Sequence, residues 1–288
     1  MQIEAGIAGQ LHVQAVGPNG TREGVFNNTF TDAGLATISG PWENSNRITH
    51  LFLGSGRAEA PHNSVESLVL QVHEVSIRAF EVVATEVLAE HVRVHSKYVV
   101  KVSKGKDWVL REFGARFGRV ASLATYALLK DSTGQLTEMA FTKEEEITFT
   151  YYLQVTYPKT FTGKVSWDTG NGVEQLDYTG QLGLGDNPSL LDWGTVFIPP
   201  YGASSSRFEL RSGMSGTGVS IDPPKSTGSA TFKESEGSGT ARSWCCTATA
   251  FPIALNFPKP LTKTTTQTLT IDVQWRFENA TSVPVPEV

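Results

Sequence analysis

The sequence contains very little cysteine, and this shortage bears on how the fold is stabilised. Among 288 residues the only two cysteines are the adjacent pair Cys245 and Cys246. A disulfide between neighbouring residues would distort the backbone, so we expect two reduced thiols in a packed strand. A chain of this length buries enough apolar surface to fold without staples, so nothing in it requires a disulfide framework.

Charge is also scarce, and no long apolar run is present. Charged residues make up 18% of the chain, and the formal net charge is −5 at pH 7. The sequence contains no block of Lys and Arg that could contact the successive phosphates of a nucleic acid, which argues against nucleic-acid binding. No apolar segment approaches the length of a membrane span, and the start Met1-Gln2-Ile3-Glu4 lacks the features of an export signal. We therefore expect a protein that is made in a cytoplasm and does not insert into a membrane.

Motifs for metal binding are missing as well. A His-Glu-x-x-His pattern is absent, because no second histidine follows His73-Glu74 at the required position. His91 and His95 project from one face of a predicted strand, but Arg93 lies between them and no third ligand is apparent. The oxygen-rich turns at 168–174 and 186–187 lack the full spacing of a calcium loop. We therefore predict no cofactor and no resident metal.

Three consecutive acids, Glu144, Glu145 and Glu146, raise the alternative of glycan cleavage. A glycoside hydrolase needs two carboxylates that face each other across a cleft. Consecutive residues of a strand point to opposite faces, and a charged leader before a strand usually forms a solvated turn. We therefore predict that the protein is not an enzyme, with a polysaccharide hydrolase as the last alternative.

What the sequence does contain is alternation. Residues 146–157 place apolar side chains at every second position, which predicts a long β-strand with one apolar face and one Thr/Gln face. Residues 269–277 repeat this pattern. Similar tripeptides, Phe141-Thr142-Lys143 and Leu261-Thr262-Lys263, precede these two alternating segments, which we call the two ribbons. The recurrence indicates a duplicated module, with coincidence as the alternative.

Turn-forming sequences separate the other segments that are predicted to be strands. Gly17-Pro18-Asn19-Gly20 separates two alternating segments and predicts a β-hairpin over residues 10–28, since Asn-Gly tolerates a positive φ. Asp131-Ser132-Thr133-Gly134 predicts another turn. Residues 202–206 and 212–243 are rich in Gly and Ser and predict long loops or flexible ribbons outside the core.

The predicted fold is all-β, with two antiparallel β-sandwich (jelly-roll-like) modules at 1–158 and 159–288. Closely spaced strands without long helices between them favour antiparallel pairing in a sandwich or barrel. One short helix is predicted over residues 33–38, capped by Thr31 or Asp32 and stopped by Gly40-Pro41.

The order of several short segments along the chain resembles that in a known class of proteins. They are Phe30-Thr31-Asp32-Ala33-Gly34-Leu35, Leu51-Phe52-Leu53-Gly54-Ser55-Gly56, Arg111-Glu112-Phe113-Gly114, Ala127-Leu128-Leu129-Lys130-Asp131 and the strand from Ile147. Together they resemble structural proteins of tailed-bacteriophage virions, particularly small β-rich components of the tail tip, baseplate or fibre attachment. The resemblance covers the first predicted module. It implies a virion protein that assembles into a ring or trimer with itself and other virion proteins, and it supplies no catalytic residues.

Three aromatic residues of the second module, Trp167, Trp193 and Tyr201, lie near predicted loops. A flat ring at such a position can stack on a sugar or anchor a protein interface, and burial in the core is the alternative. The expected function is a non-enzymatic structural part of a phage tail tip, baseplate or fibre attachment. The alternatives are a tail protein that binds a host-surface glycan or protein, and a capsid decoration or head-fibre protein.

Overall fold

The computed structural model describes the chain in ten ranges. These are residues 2–39, 48–78, 80–102, 105–118, 121–168, 172–182, 220–222, 225–232, 239–246 and 253–284. Within them the fold is mostly β-strand in a curled, largely antiparallel sheet, which confirms the predicted all-β class. No helix in these ranges is long and apolar enough to cross a membrane.

The described strands are numbered in chain order. They are β1 (Gln2–Gly17), β2 (Gly20–Phe30), β3 (Ile48–Gly54), β4 (Gln71–Ser76), β5 (Phe80–Val87), β6 (His91–Val102), β7 (Trp108–Leu110), β8 (Glu112–Phe117), β9 (Thr125–Leu128), β10 (Met139–Phe141), β11 (Glu146–Pro158), β12 (Thr160–Asp168), β13 (Val173–Leu182), β14 (Ser220–Asp222), β15 (Lys225–Phe232), β16 (Gly239–Cys246), β17 (Ile253–Lys263) and β18 (Leu269–Asn279). The helix α1 spans Asp32–Ser39, and a 3₁₀ turn spans His62–Ser64.

Strand β1 is the centre of the sheet because it is paired on both edges. On one edge, residues 6–16 pair with β11 in antiparallel register. On the other edge, residues 9–17 pair with β2, and residues 2–7 pair with β18. The β1–β18 pair is parallel, which is an exception in an otherwise antiparallel arrangement.

The sheet extends from β1 in two directions and curls around one core. One arm runs β1–β11–β6–β5, and the other leaves β2 through β9, β8, β3 and β4. Side chains from both arms meet in a single buried cluster, for example Leu11 and Phe149 from the first arm and Leu51 and Phe113 from the second. Curling lets one apolar face of each arm leave water.

Both predicted ribbons are strands, β11 and β18. Along β11, buried residues from Ile147 to Tyr157 alternate with partly exposed ones, as the two-residue period predicts, except at Gln154, which is also buried. The neighbours of the two strands differ. Strand β11 lies between β1 and β6, whereas β18 pairs with β1, β12 and β15. The duplication and the division after residue 158 stay predictions.

The structure contains the two predicted turns and the predicted helix cap. The hairpin joins β1 to β2, and Gly20 has a φ of +104°. Before α1, the Thr31 hydroxyl accepts a hydrogen bond from Gly34 N–H at 3.0 Å, which caps the helix. Asp131 Oδ1 accepts bonds from Thr133 and Gln135, and Gly134 has a φ of +83°.

Of the two alternatives for residues 212–243, long loops are wrong where the structure describes the segment, and flexible ribbons are not contradicted. Strands β14, β15 and β16 lie in this segment. All eight residues of β15 pair with β18. Pairing with an existing strand satisfies the backbone of a Gly/Ser-rich segment whose own strand preference is weak. The predicted loop at 202–206 lies outside the described residues.

A buried polar cluster fixes the long loop between β3 and β4. The Glu112 carboxyl group is fully buried and accepts hydrogen bonds from Leu70 N–H and from the Tyr126 hydroxyl, both at 2.9 Å. The same hydroxyl accepts a bond from Ala58 N–H at 3.1 Å. Burial raises the pKa of Tyr126 well above its usual range, so the hydroxyl keeps its proton and donates.

We expect Tyr126→Phe to lower the free energy of unfolding by about 1 to 3 kcal/mol, because Glu112 and Ala58 N–H would each lose a buried partner. Urea denaturation measures the change. Tyr152→Phe is the matched control, since Tyr152 is partly exposed, and its effect should stay within about 0.5 kcal/mol. Equal losses in the two variants would contradict the role given to the Tyr126 hydroxyl.

Candidate functional site

Of the three aromatic residues predicted as contacts, the structure describes one. Trp167 lies in β12, where its backbone is opposite Glu174 of β13 and Leu269 of β18. Trp193 and Tyr201 lie outside the described residues. The role of each of these residues as a ligand or partner contact therefore stays a prediction.

The acidic trio does not form a carboxylate pair across a cleft. Glu145 is buried, and its carboxylate receives two bonds from Arg22, at 2.7 and 3.2 Å. It also accepts Thr142 N–H at 2.7 Å. Glu146 begins β11 and pairs with Lys101 of the neighbouring strand at 3.0 Å, while Glu144 is exposed. Glu145 therefore fixes the approach to β11 against the β1–β2 hairpin.

Of the two histidines of β6, His95 is engaged by the neighbouring strand. Arg93 Nη1 and His95 Nε2 both approach Glu86 Oε2 of β5, at 2.9 and 3.0 Å. Burial alone would raise the pKa of Glu86, but hydrogen bonds from His95 and Arg93 outweigh it and lower that pKa. His91 is exposed at the start of the strand. In the part of the chain that the structure describes, no group of three or more metal-ligating side chains occurs.

A groove beside β2 is the candidate functional site. Strands β2 and β9 pair only at Thr29 and Phe30, and the two strands then diverge as the sheet curls. The space between them, which we call the β2 groove, has a volume of about 780 Å³. One wall is residues 23–29, and the other contains Leu128 and residues 130–132 and 137–139.

One backbone edge of β2 faces the groove. Phe30 N–H and C=O bond the side chain of Asn279, on the side occupied by β18, whereas Thr31 N–H bonds Ala124 O on the opposite side. Successive residues of a strand direct their backbone groups to alternate sides. Glu23, Val25 and Asn27 therefore direct N–H and C=O away from β1 and into the groove.

Among the described strands, none pairs with this edge over residues 20–28. The other edge of the same residues is fully paired with β1. An unpaired row of N–H and C=O groups is a template for an added strand. The groove can therefore accept an extended peptide backbone.

The floor of the groove is closed by packed side chains. A Cβ atom added to Gly24 would lie 2.8 Å from the Phe26 ring and 2.9 Å from Met139 Sδ. Glycine at this position thus lets Phe26 and Met139 come together below β2. Anything bound in the groove rests on this floor and does not reach the core.

The rim of the groove is acidic. Glu23, Asp131 and Glu138 contribute three carboxylates, and Lys130 contributes one ammonium group. Glu138 is paired with Arg111 at 2.7 Å. Hydrogen bonds from Thr133 and Gln135 lower the pKa of Asp131, so its carboxylate stays ionised at neutral pH.

Local sequence patterns located both walls of this groove but not the groove itself. The hairpin signal placed β2, and the turn signal at Asp131 placed the opposite wall. Their separation depends on the curl of the sheet, for which no local signal exists. No family model, curated protein or solved structure matches the chain. The function therefore has to be inferred from the geometry of the molecule.

We expect Glu145→Gln to lower the free energy of unfolding at pH 7 by about 1 kcal/mol, through weaker bonds to Thr142 and the half-exposed Arg22. Thr142 N–H, with Arg22 in addition, lowers the pKa of Glu145 below its unfolded value. The stabilisation is thus complete above the unfolded pKa of about 4.3 and is lost as pH falls through the folded value.

Denaturation curves between about pH 7 and pH 3 test this, and the variant should lose less stability on acidification than the parent protein. Glu144→Gln, at an exposed neighbouring position, is the control and should leave stability at pH 7 nearly unchanged. Identical pH profiles for Glu145→Gln and the parent would refute the assignment.

Proposed function

We propose that the protein is a non-enzymatic structural component of a bacteriophage virion that assembles as a homo-oligomer. A tail tip, baseplate or tail-fibre attachment is the location that we propose within the virion. The open edge of β2 is the observation that carries the assembly role, since exposed strand edges readily pair with strands of neighbouring proteins. In a virus particle such pairing holds subunits together, whereas in an isolated protein it leads to aggregation.

The arrangement of the core supports a finer description of the fold. We interpret the two arms that share one buried cluster as the layers of a β-sandwich, within an N-terminal assembly module of residues 1–158. Residues 159–288 are the proposed second sandwich module. Two-layer β-structures that share one core make rigid building blocks, which suits a part that must hold its shape in a particle.

The outer face of the first arm also supports protein contact. Val25, His12, Thr150 and Val99 form one row across β2, β1, β11 and β6. The valines at the two ends of the row are 53% and 46% exposed. Exposed β-branched residues on a flat sheet face suit a contact that buries them in an assembly.

The contacts of two residues of the acidic trio support a structural role over hydrolysis. Glu145 is committed to Arg22 and Thr142, and Glu146 pairs with Lys101, so each carboxylate stabilises the sheet. The alternative of a capsid decoration or head fibre differs from the main proposal in location, whereas a receptor- or glycan-binding tail protein differs in that it binds the host surface. Labelling on intact particles by immuno-electron microscopy separates the tail from the head.

We expect the purified full-length protein to form a discrete oligomer such as a trimer or ring, because contact between copies would bury the exposed valines of the outer sheet face. Mass photometry and multi-angle light scattering over a range of concentrations measure the mass of the particle. A strict monomer under virion-like conditions would count decisively against the homo-oligomeric proposal. Antibody labelling confined to the host cell envelope, with none on particles, would remove the virion assignment.

A further inference from the structure

We propose that the β2 groove binds an extended, positively charged segment of a different virion polypeptide, which adds to the open edge of β2 as a β-strand. This inference rests on the proposed assembly function and names the chemistry of one partner. It assigns a binding site to a surface whose two walls are both described in the structure.

The backbone of the segment would be recognised by three residues of β2. Glu23, Val25 and Asn27 each present one N–H and one C=O to the groove, as the bonds of Phe30 and Thr31 on opposite sides of the strand require. Alternate residues of a strand are about 7 Å apart, so this row matches the repeat of another extended chain. Main-chain bonds of this kind provide affinity with little dependence on sequence.

The side chains of the segment would meet two different surroundings. On the inner side, the floor of Phe26 and Met139 is already packed, so only small side chains fit there. On the outer side, the exposed Val25 offers an apolar contact to a β-branched or long side chain. These surroundings favour a strand with alternating small and larger residues.

The acidic rim selects the sign of the charge. Three carboxylates and one ammonium group line the groove, and Arg111 neutralises Glu138, so about one net negative charge remains to attract Lys or Arg. A second copy of this chain that approached with its own β2 would bring another Glu23 to the same place. Like charges at close range disfavour that arrangement, so a different, basic chain is the better partner.

Binding of synthetic hexapeptides to the full-length protein tests the proposal. The probe is fluorescein-labelled Thr-Lys-Val-Lys-Val-Thr, and its counterpart has Gln in place of both Lys residues. Fluorescence anisotropy should show tighter binding of the Lys peptide. Nuclear magnetic resonance should show that this peptide slows amide hydrogen exchange at Glu23, Val25 and Asn27.

Val25→Pro removes one N–H that faces the groove and leaves the bonds to β1 intact. It should weaken binding of the Lys peptide about tenfold, as expected for one lost hydrogen bond. Val25→Thr keeps the N–H and the β-branched shape, so it is the matched control and should bind like the parent. Circular dichroism verifies that both variants fold.

If Val25→Pro does not fold, the double variant Glu23→Gln with Glu138→Gln tests the charge of the rim. It should weaken the Lys peptide about threefold or more and leave the Gln peptide unchanged. An equal effect on both peptides, or no effect, overturns the assignment of a basic partner.

Three other results would overturn the proposal. They are no binding of the Lys peptide at millimolar concentration, full binding by a folded Val25→Pro, and concentration-dependent protection of the three amides without peptide, which would identify a second copy as the occupant. Mass photometry distinguishes these failures from failure of the proposed function. An oligomer that ignores the peptide refutes only the groove assignment, and a monomer that binds it refutes only homo-oligomerisation.

Discussion

The requirement that every buried backbone group be paired determines the structure, and β1 meets that requirement for its neighbours. Pairing on both of its edges fixes the register of β11, β2 and β18 at once. Since a slip of one residue in β1 would turn its core residues to water, this register is strongly specified. Strands β5 and β6 on one side and β12 on the other are then placed by pairing with strands already set.

The groove is a consequence of how the sheet curls at residues 29–31. Phe30 is fully buried and bonded through its backbone to Asn279, and Thr31 bonds Ala124 across the adjoining strand while it caps α1. These contacts hold β2 and β9 together at one point. On the hairpin side of that point β2 follows β1, whereas β9 follows β8, so the strands separate and an edge is exposed. The closed core and the open edge thus have one cause.

The sequence predicts those parts of this fold that local chemistry determines. Alternation identified β11, the Asn-Gly turn identified the β1–β2 hairpin, and Asp131 with Gly134 identified the tight turn opposite β2. The parallel pairing of β1 with β18 and the strand at Lys225–Phe232 were not predictable, because both depend on partners distant in the chain. The groove was missed for the same reason, since no residue pattern distinguishes an unpaired strand edge from a paired one.

An unpaired strand edge can also pair with the wrong chain before its partner binds. Unprotected strand edges lead to aggregation, and charged side chains beside the edge are a common means of preventing it. Here Glu23 on β2 and Glu138 on the opposite wall border the edge, so two copies of the same groove repel each other. The same carboxylates attract a cationic strand. In the assembly that we propose, charge at the rim would therefore keep the edge free until a basic strand binds.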